Sequence, residues 1–230
     1  MSAAASHKDG GRGLERDMVV KAALELLEEV GFTGLTLRKL ADCLHVKAAA
    51  LYWHFENKQD LIDAMAERIM LAEFHQTTHE ATDWRSLLTF VGHTHRRALM
   101  RYRDGAEVMA HANMRSNAMF DGLESLMKKL HDQGFTPELA MHGFFTIVRF
   151  AIGCVFEEQA DPRTSAAVTP EQRVERLKEI AKNHPTVAQS MRAGLAGKGP
   201  DHMFECGLRI ILDGIAQQIE KPLDRAAKLA

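Results

Sequence analysis

Cysteine is scarce in this 230-residue chain, and the three present, Cys43, Cys154 and Cys206, stand far apart and outside CxxC spacing. Neither a disulfide framework nor a cysteine zinc site fits that usage, and buried, reduced thiols are the expectation. Proline is also sparse, at 6 residues, and with 46% hydrophobic residues the composition is that of an ordered chain. No run of eighteen apolar residues occurs, and the opening "MSAAASHKDGGRGLERD" lacks the apolar centre of a signal peptide. A cytoplasmic protein with no membrane partner is therefore expected. An excess of positive charge is missing too: the net charge is -2, and in the first 58 residues eight Lys and Arg face eight Asp and Glu. Bulk charge offers no field for nucleic acid, so any phosphate contact must come from local placement within roughly 10 Å.

Alternating strand patterns are absent and helical periodicity is nearly continuous, which predicts an all-α fold. Val19, Ala22, Ala23, Leu26, Leu27 and Val30 form one stripe over 15–30, which Gly31 ends. Thr36 is placed to cap a second helix with Leu37, Leu40, Ala41 and Leu44 on its apolar face. A third short helix spans 47–53, and Asn57 caps a fourth that runs to about 79. Longer patterns follow at 84–103, 105–113, 116–132, 137–158, 170–181, 185–194 and 201–219. The organisation read from them is a disordered tail over 1–14, a small helical domain over 15–60, a larger helical domain over 80–220 and a tail over 221–230. The polar stretch "ADPRTSAAVTP" at 160–170 reads as a mobile linker.

Two helices as short as 36–44 and 47–53 are marginal alone and must be held by their neighbours. That is the logic of a helix-turn-helix, in which the second helix enters the DNA major groove at an angle fixed by the turn. Arg38, Lys39, Lys47 and Lys58 gather around this unit, while Glu15, Glu25, Glu28 and Glu29 belong to the first helix. Ala48 and Ala49 at the start of the third helix are small enough to let it reach base edges, and alanine can lie against a thymine methyl.

The segment "ALELLEEVGFTGLTLRKLADCLHVKAAALYWHFENKQDLIDAM", residues 23–65, resembles the DNA-binding domain of the tetracycline repressor (TetR) family of transcription regulators. Similarity continues in "RALMRYRDGAEV", "GFTPELA" and "GCVFEEQ", so it covers most of the chain, and it is strongest toward the family's tetracycline-binding type. The resemblance implies a ligand-responsive repressor without enzymatic activity. It places Thr36 and Arg38 at the start of helix 2, with Arg38 reaching a guanine edge, and Lys47, Ala48 and Ala49 on the reading helix. Tyr52, His54 and Lys58 match phosphate-contacting positions, whereas Trp53 is expected to brace the core. Where the family's type has a glutamine-proline pair, this chain has Ala48 and Ala49, so the resemblance carries over the docking mode and not the operator sequence.

In the larger half the same type holds a drug-magnesium chelate through histidines and other polar side chains. The shared "YRDGA" block puts Met109 at its metal-binding histidine, and a thioether is a poor magnesium ligand. Phe74, Val91, His95, Ala112 and Leu126 fall where it uses histidine, asparagine, phenylalanine, threonine and glutamine, while Glu157 is kept. With Met127, Met141, Phe144, Phe145 and Val148 these residues make an apolar wall, and His95 and Glu157 are its polar anchors. Such a wall suits a lipophilic or polycyclic effector and calls for no cofactor. Met and Phe at helical spacing serve equally well as plain core. An acid-base pair of His95 and Glu157 lacks any nucleophile to serve, and a metal sensor built on His75 and His79, or on His93, His95 and His111, is a further alternative.

The apolar patterns at 137–158 and 201–219 exceed what one core requires and resemble the helices that pair family members about a two-fold axis. The partners implied are a second copy, a palindromic operator read by two heads about 34 Å apart, and a small effector that changes that spacing. The hinge is expected at "RYRDGAEV", 101–108.

Overall fold

The stripe of Val19, Ala23, Leu26 and Leu27 is fully or nearly fully buried and fixes which face of α1 (Arg16–Gly34) turns inward. Regular helix breaks at Gly31, whose φ of 69° is in the left-handed region. α2 (Leu37–Cys43) is capped by the Thr36 hydroxyl, which accepts from the Lys39 amide at 3.2 Å. His45, at φ 54°, turns the chain into α3 (Ala48–Leu51), a single helical turn followed by Tyr52–His54 in turn conformation. Leu40, Leu51 and Phe55 hold this pair of short helices against α1 and α4 (Lys58–Phe74).

The computed structural model describes residues 15–74, 81–113, 116–160, 169–195 and 199–220, all of whose regular structure is helical. The larger half comprises α5 (Trp84–Met100), α6 (Gly105–His111), α7 (Asn117–His131), α8 (Pro137–Gln159), α9 (Pro170–Asn183), α10 (Pro185–Leu195) and α11 (Gly199–Glu220). α8 lies against α5, α6, α7 and α11, and α4 reaches across to α5 and α6. α9 and α10 pack chiefly on each other. The linker expected to be mobile lies mostly outside the described residues; its end, Thr169, forms a capping box with Gln172.

Two apolar cores result. One joins α1–α4 to Ala98, Leu99, Ala106 and Val108, and so spans the small domain and the first part of the larger one. The other gathers Leu88, Val91, Phe135, Phe144, Ile147, Phe204 and Leu208. By length and composition α8 is apolar enough to cross a membrane; it packs against α5, α6, α7 and α11, and 33% of its most apolar window is buried inside this chain.

Candidate DNA-reading and effector sites

On α3, Leu51 points into the core, which leaves Ala48, Ala49 and Tyr52, at helical spacing, on the outward face. Thr36, Arg38 and Lys47 are exposed beside them, and His54 and Lys58 are half-buried at the rim. Elsewhere in the head the cations are spent in ion pairs: Arg16 with Asp60 at 3.6 Å, Lys21 with Glu25 at 3.8 Å, and Arg68 with Asp17. Among the described residues Arg38 and Lys47 have no such partner. Lys58 holds its ammonium 5.1 Å from the Phe32 ring centre, a cation-π contact that fixes the start of α4.

Two expectations fail here. Trp53, expected in the core, is 89% exposed beside Tyr52, because the turn after α3 gives the inward positions to Leu51 and Phe55. An indole exposed beside Tyr52 is a further DNA-contacting candidate, one that reasoning from hydrophobicity does not reach. Cys43, expected buried, is exposed at the end of α2, since Leu40 and Ala41 already fill that helix's inner face.

The junction between head and larger half is polar and specific. The Phe32 amide donates to Asp104 Oδ2 at 2.8 Å, and the Arg103 amide donates to Glu28 Oε1 at 2.7 Å. Arg103 Nη1 reaches the carbonyls of Glu28 and Glu29, both at 3.1 Å. Gln159, at the end of α8, donates to the carbonyls of Leu99 (3.1 Å) and Tyr102 (2.8 Å) and accepts from the Ala106 amide (3.2 Å). A second tie joins α4 to the end of α6: Asp63 Oδ1 accepts from the Asn113 amide at 2.8 Å and from Gln59 Nε2 at 2.7 Å. Neither Gln159 nor Asp63 was flagged by sequence, because a lone amide or carboxylate carries no spacing signal.

The expected effector residues are brought together in part. Phe90, Phe74, His95, Phe144 and Phe145 form a continuous edge-on run with centroid separations of 6.3, 5.4, 6.0 and 5.3 Å. Phe74, Met109 and Ala112 pack against the first core, and Val91, Leu126, Met127, Phe144, Phe145 and Val148 belong to the second or pack against it. His95 therefore stands at the seam. It is buried, its Nδ1 lies 2.8 Å from the Val91 carbonyl, and burial lowers its pKa to about 4. Met141 is half-buried. Glu157, expected as a polar anchor, is exposed, so within one chain it does not join His95. Its neighbour Glu158 faces inward instead and forms a two-pronged pair with Arg96 at 3.0 and 2.8 Å, which Asp201 extends at 2.7 Å.

The wide-mouthed depression of about 510 Å³ on the outer side of α5 is lined by Asp83, Arg85, Ser86, Thr89, Phe90, His93 and Arg97, none of them an expected effector residue. The histidines do not assemble either. His93 meets Glu205 at 3.3 Å, His111 bonds the Glu107 carbonyl, and His75 and His79 lie outside the described residues. Among the described residues no three metal-ligating side chains converge.

The pattern described as "Bacterial regulatory proteins, tetR family" matches residues 19–65, and that described as "Tetracyclin repressor-like, C-terminal domain" matches residues 77–219. The chain belongs to the TetR family. Tetracycline repressor protein class A from transposon 1721 of Escherichia coli is 41% identical over 218 residues, 89% of this chain and 92% of that protein. The solved structure of TetR (class A) with 5a,6-anhydrotetracycline and magnesium superimposes with a TM-score of 0.65 at 37% identity, covering 89% of this chain and 99% of that one. The Streptomyces coelicolor TetR family protein ActR in complex with (S)-DNPA gives 0.76 at 26% identity, covering 90% and 98%. TetR-family repressors are ligand-responsive, DNA-binding regulators of transcription, and this all-α chain, with its helix-turn-helix and larger regulatory half, is one of them.

Proposed function

We propose that this TetR-family chain works in the cytoplasm as a homodimer that represses transcription from a palindromic operator and is released by a compact, apolar aromatic effector taken up without a magnesium chelate. The observation that carries the effector reading is the edge-on aromatic run centred on His95, where both apolar cores meet and α4, α5 and α8 come together. An effector wedged there pushes on α4, the helix that carries the reading head, and the junction at 101–108 transmits the movement. Binding and release follow if the effector prefers the conformation in which the heads are wrongly spaced.

The dimer is supported by α8 and α11, which leave Phe156, Met203 and Ile210 at 52%, 50% and 70% exposure on one chain. Paired about a two-fold axis these helices bury one another, and the two heads then meet successive major grooves about 34 Å apart. Arg38 and the Ala48–Ala49 face read bases, while Tyr52, His54 and Lys58 hold the backbone.

A second reading, a tetracycline-magnesium sensor, is favoured by the 41% identity to the class A repressor. Footprinting of the purified dimer identifies the operator. Release of that operator is then titrated with tetracycline, with and without magnesium, and with uncharged aromatic compounds. Magnesium-dependent release by tetracycline alone overturns the effector assignment, and protection of no palindrome overturns the repressor.

A further inference from the structure

Among the described residues two that are not glycine hold a positive φ, Asp104 and His45, each at 54°. Cβ is crowded by the backbone there, so a residue other than glycine is held at a cost. For Asp104 the return is visible: its carboxylate accepts the Phe32 amide at 2.8 Å and fastens the head to the regulatory half. His45 has no such return inside the chain. Its amide donates to the Asp42 carbonyl at 3.2 Å, and the Val46 amide donates to the Ala41 carbonyl at 3.0 Å. Together these bonds close α2 in the paired ending whose left-handed position is most often glycine. Both are backbone bonds, and glycine would make them without strain. The imidazole itself is exposed, and among the described residues it makes no hydrogen bond, ion pair or ring contact.

Val46, half-buried against the first core, anchors the turn, and the residues on either side of it, His45 and Lys47, are exposed. Lys47 is the N-cap of α3, so His45 stands three residues before Ala48, at the edge of the reading surface. Three residues span at most about 11 Å and a major groove is about 12 Å wide. With Ala48 among the base edges, His45 therefore stays within side-chain reach of the groove wall, which is sugar and phosphate. We propose that His45 is a further DNA-contacting residue: its imidazole N–H donates to a phosphate oxygen of the operator backbone beside the start of α3. This rests on the repressor reading given above. An imidazole can fill that role in either protonation state, since one ring nitrogen always donates. A phosphate contact positions the helix and carries no sequence information of its own. His45 places such a contact before α3, where Tyr52, His54 and Lys58 are proposed to supply theirs after it.

The test compares the full-length wild type with His45→Gly, which removes the imidazole and relaxes the turn. The variant is expected to keep or raise Tm, by up to about 4 °C, and yet to bind the footprinted operator and a random duplex about five- to ten-fold more weakly at fixed salt. Opposite signs in stability and affinity separate a DNA contact from a turn residue that only shapes the head. The contact is then located with operators in which one phosphate at a time is replaced by a neutral methylphosphonate. At one phosphate in each half-site the replacement is expected to weaken wild type and to leave His45→Gly unaffected. If every replacement weakens the two proteins alike, or if the variant binds as wild type does, the contact is absent and the proposal falls. A loss confined to the operator overturns it as well, because the contact is then to bases, and a Tm below that of wild type shows that the turn carries no strain to explain. If wild type protects no palindrome, the repressor reading falls and takes His45 with it.

Discussion

The reading head and the regulatory half solve recognition in opposite ways. In the head the candidate recognising side chains are outside, on helices so short that their positions are set by a buried residue every few places: Leu40, Leu51 and Phe55 inside, Arg38, Ala48, Ala49 and Tyr52 outside. In the regulatory half the candidate side chains are inside and are made of the same Phe, Met and Val that fill its core. DNA is large and charged, so its reader is an exposed surface whose unpaired cations stand out from the paired ones around them. A small apolar effector is recognised by burial, and the surface that buries it is chemically the same as packing.

If the two regions are separate solutions joined by a rigid seam, damage at the seam should cost most. A Cβ on Gly105 would lie 2.2 Å from the Leu99 carbonyl oxygen, with Leu99 backbone carbons at 3.0 and 3.2 Å, and backbone cannot step aside as a side chain can. Gly105→Ala is expected to destabilise the protein by about 3 kcal/mol, a fall of roughly 10 °C in Tm at fixed protein concentration. A variant that melts like wild type would show that the junction is slack and that the halves communicate elsewhere.

The next largest effect separates the halves cleanly. Arg38→Ala should weaken operator binding by about 1–3 kcal/mol in salt-controlled gel shifts while leaving melting and effector affinity unchanged. Operator affinity equal to wild type would remove Arg38 from the reading surface.

How far each region was legible follows from the same contrast. The head could be read almost position by position, because caps, a glycine stop and helices of one or two turns each leave a local mark: the Thr36 cap and the Gly31 break stand where the pattern puts them. Trp53 and Cys43 are exposed although their hydrophobic character predicts burial, because Leu51, Phe55, Leu40 and Ala41 fill the inward positions. In the regulatory half the helices were legible but the site only in part. The run through Phe74, His95, Phe144 and Phe145 joins three helices, and no periodicity along one helix reports what meets it from another. Gln159 and Asp63 tie the elements together through partners fifty or more residues away, Leu99 and Asn113 among them.

The buried half should also carry a pH dependence of its own. The pKa of His95 falls from 6.5 to about 4 on folding, so between those values the unfolded chain binds a proton that the folded chain refuses. Its contribution is complete above about pH 6.5 and is lost as pH falls toward 4. At pH 5 the loss is about 2 kcal/mol. Other groups titrate in the same range, so the quantity to measure is a difference: urea unfolding at pH 7.5 and 5.0 for wild type and for His95→Phe. The variant is expected to lose about 2 kcal/mol less on acidification, and identical losses would mean that His95 is solvated.

The smallest expected effect tests the boundary of the effector site. Glu157 and Glu158 are adjacent on α8, yet the helix turns the first outward and the second inward onto Arg96. Glu158→Gln keeps the shape but removes the charge that holds Arg96, and should cost about 1–2 kcal/mol of stability. Glu157→Gln removes an exposed charge and should change stability by less than about 0.5 kcal/mol, with effector affinity within about two-fold. The informative failure is a large loss of effector affinity in Glu157→Gln at unchanged stability. Glu157 lies on the end of α8 that also exposes Phe156, the face proposed to meet the second copy, so such a loss would mean that it reaches the effector across the two-fold axis. The site would then be a property of the dimer, and the contrast between an outward-facing head and an inward-facing regulatory half would hold for the assembled pair rather than for one chain.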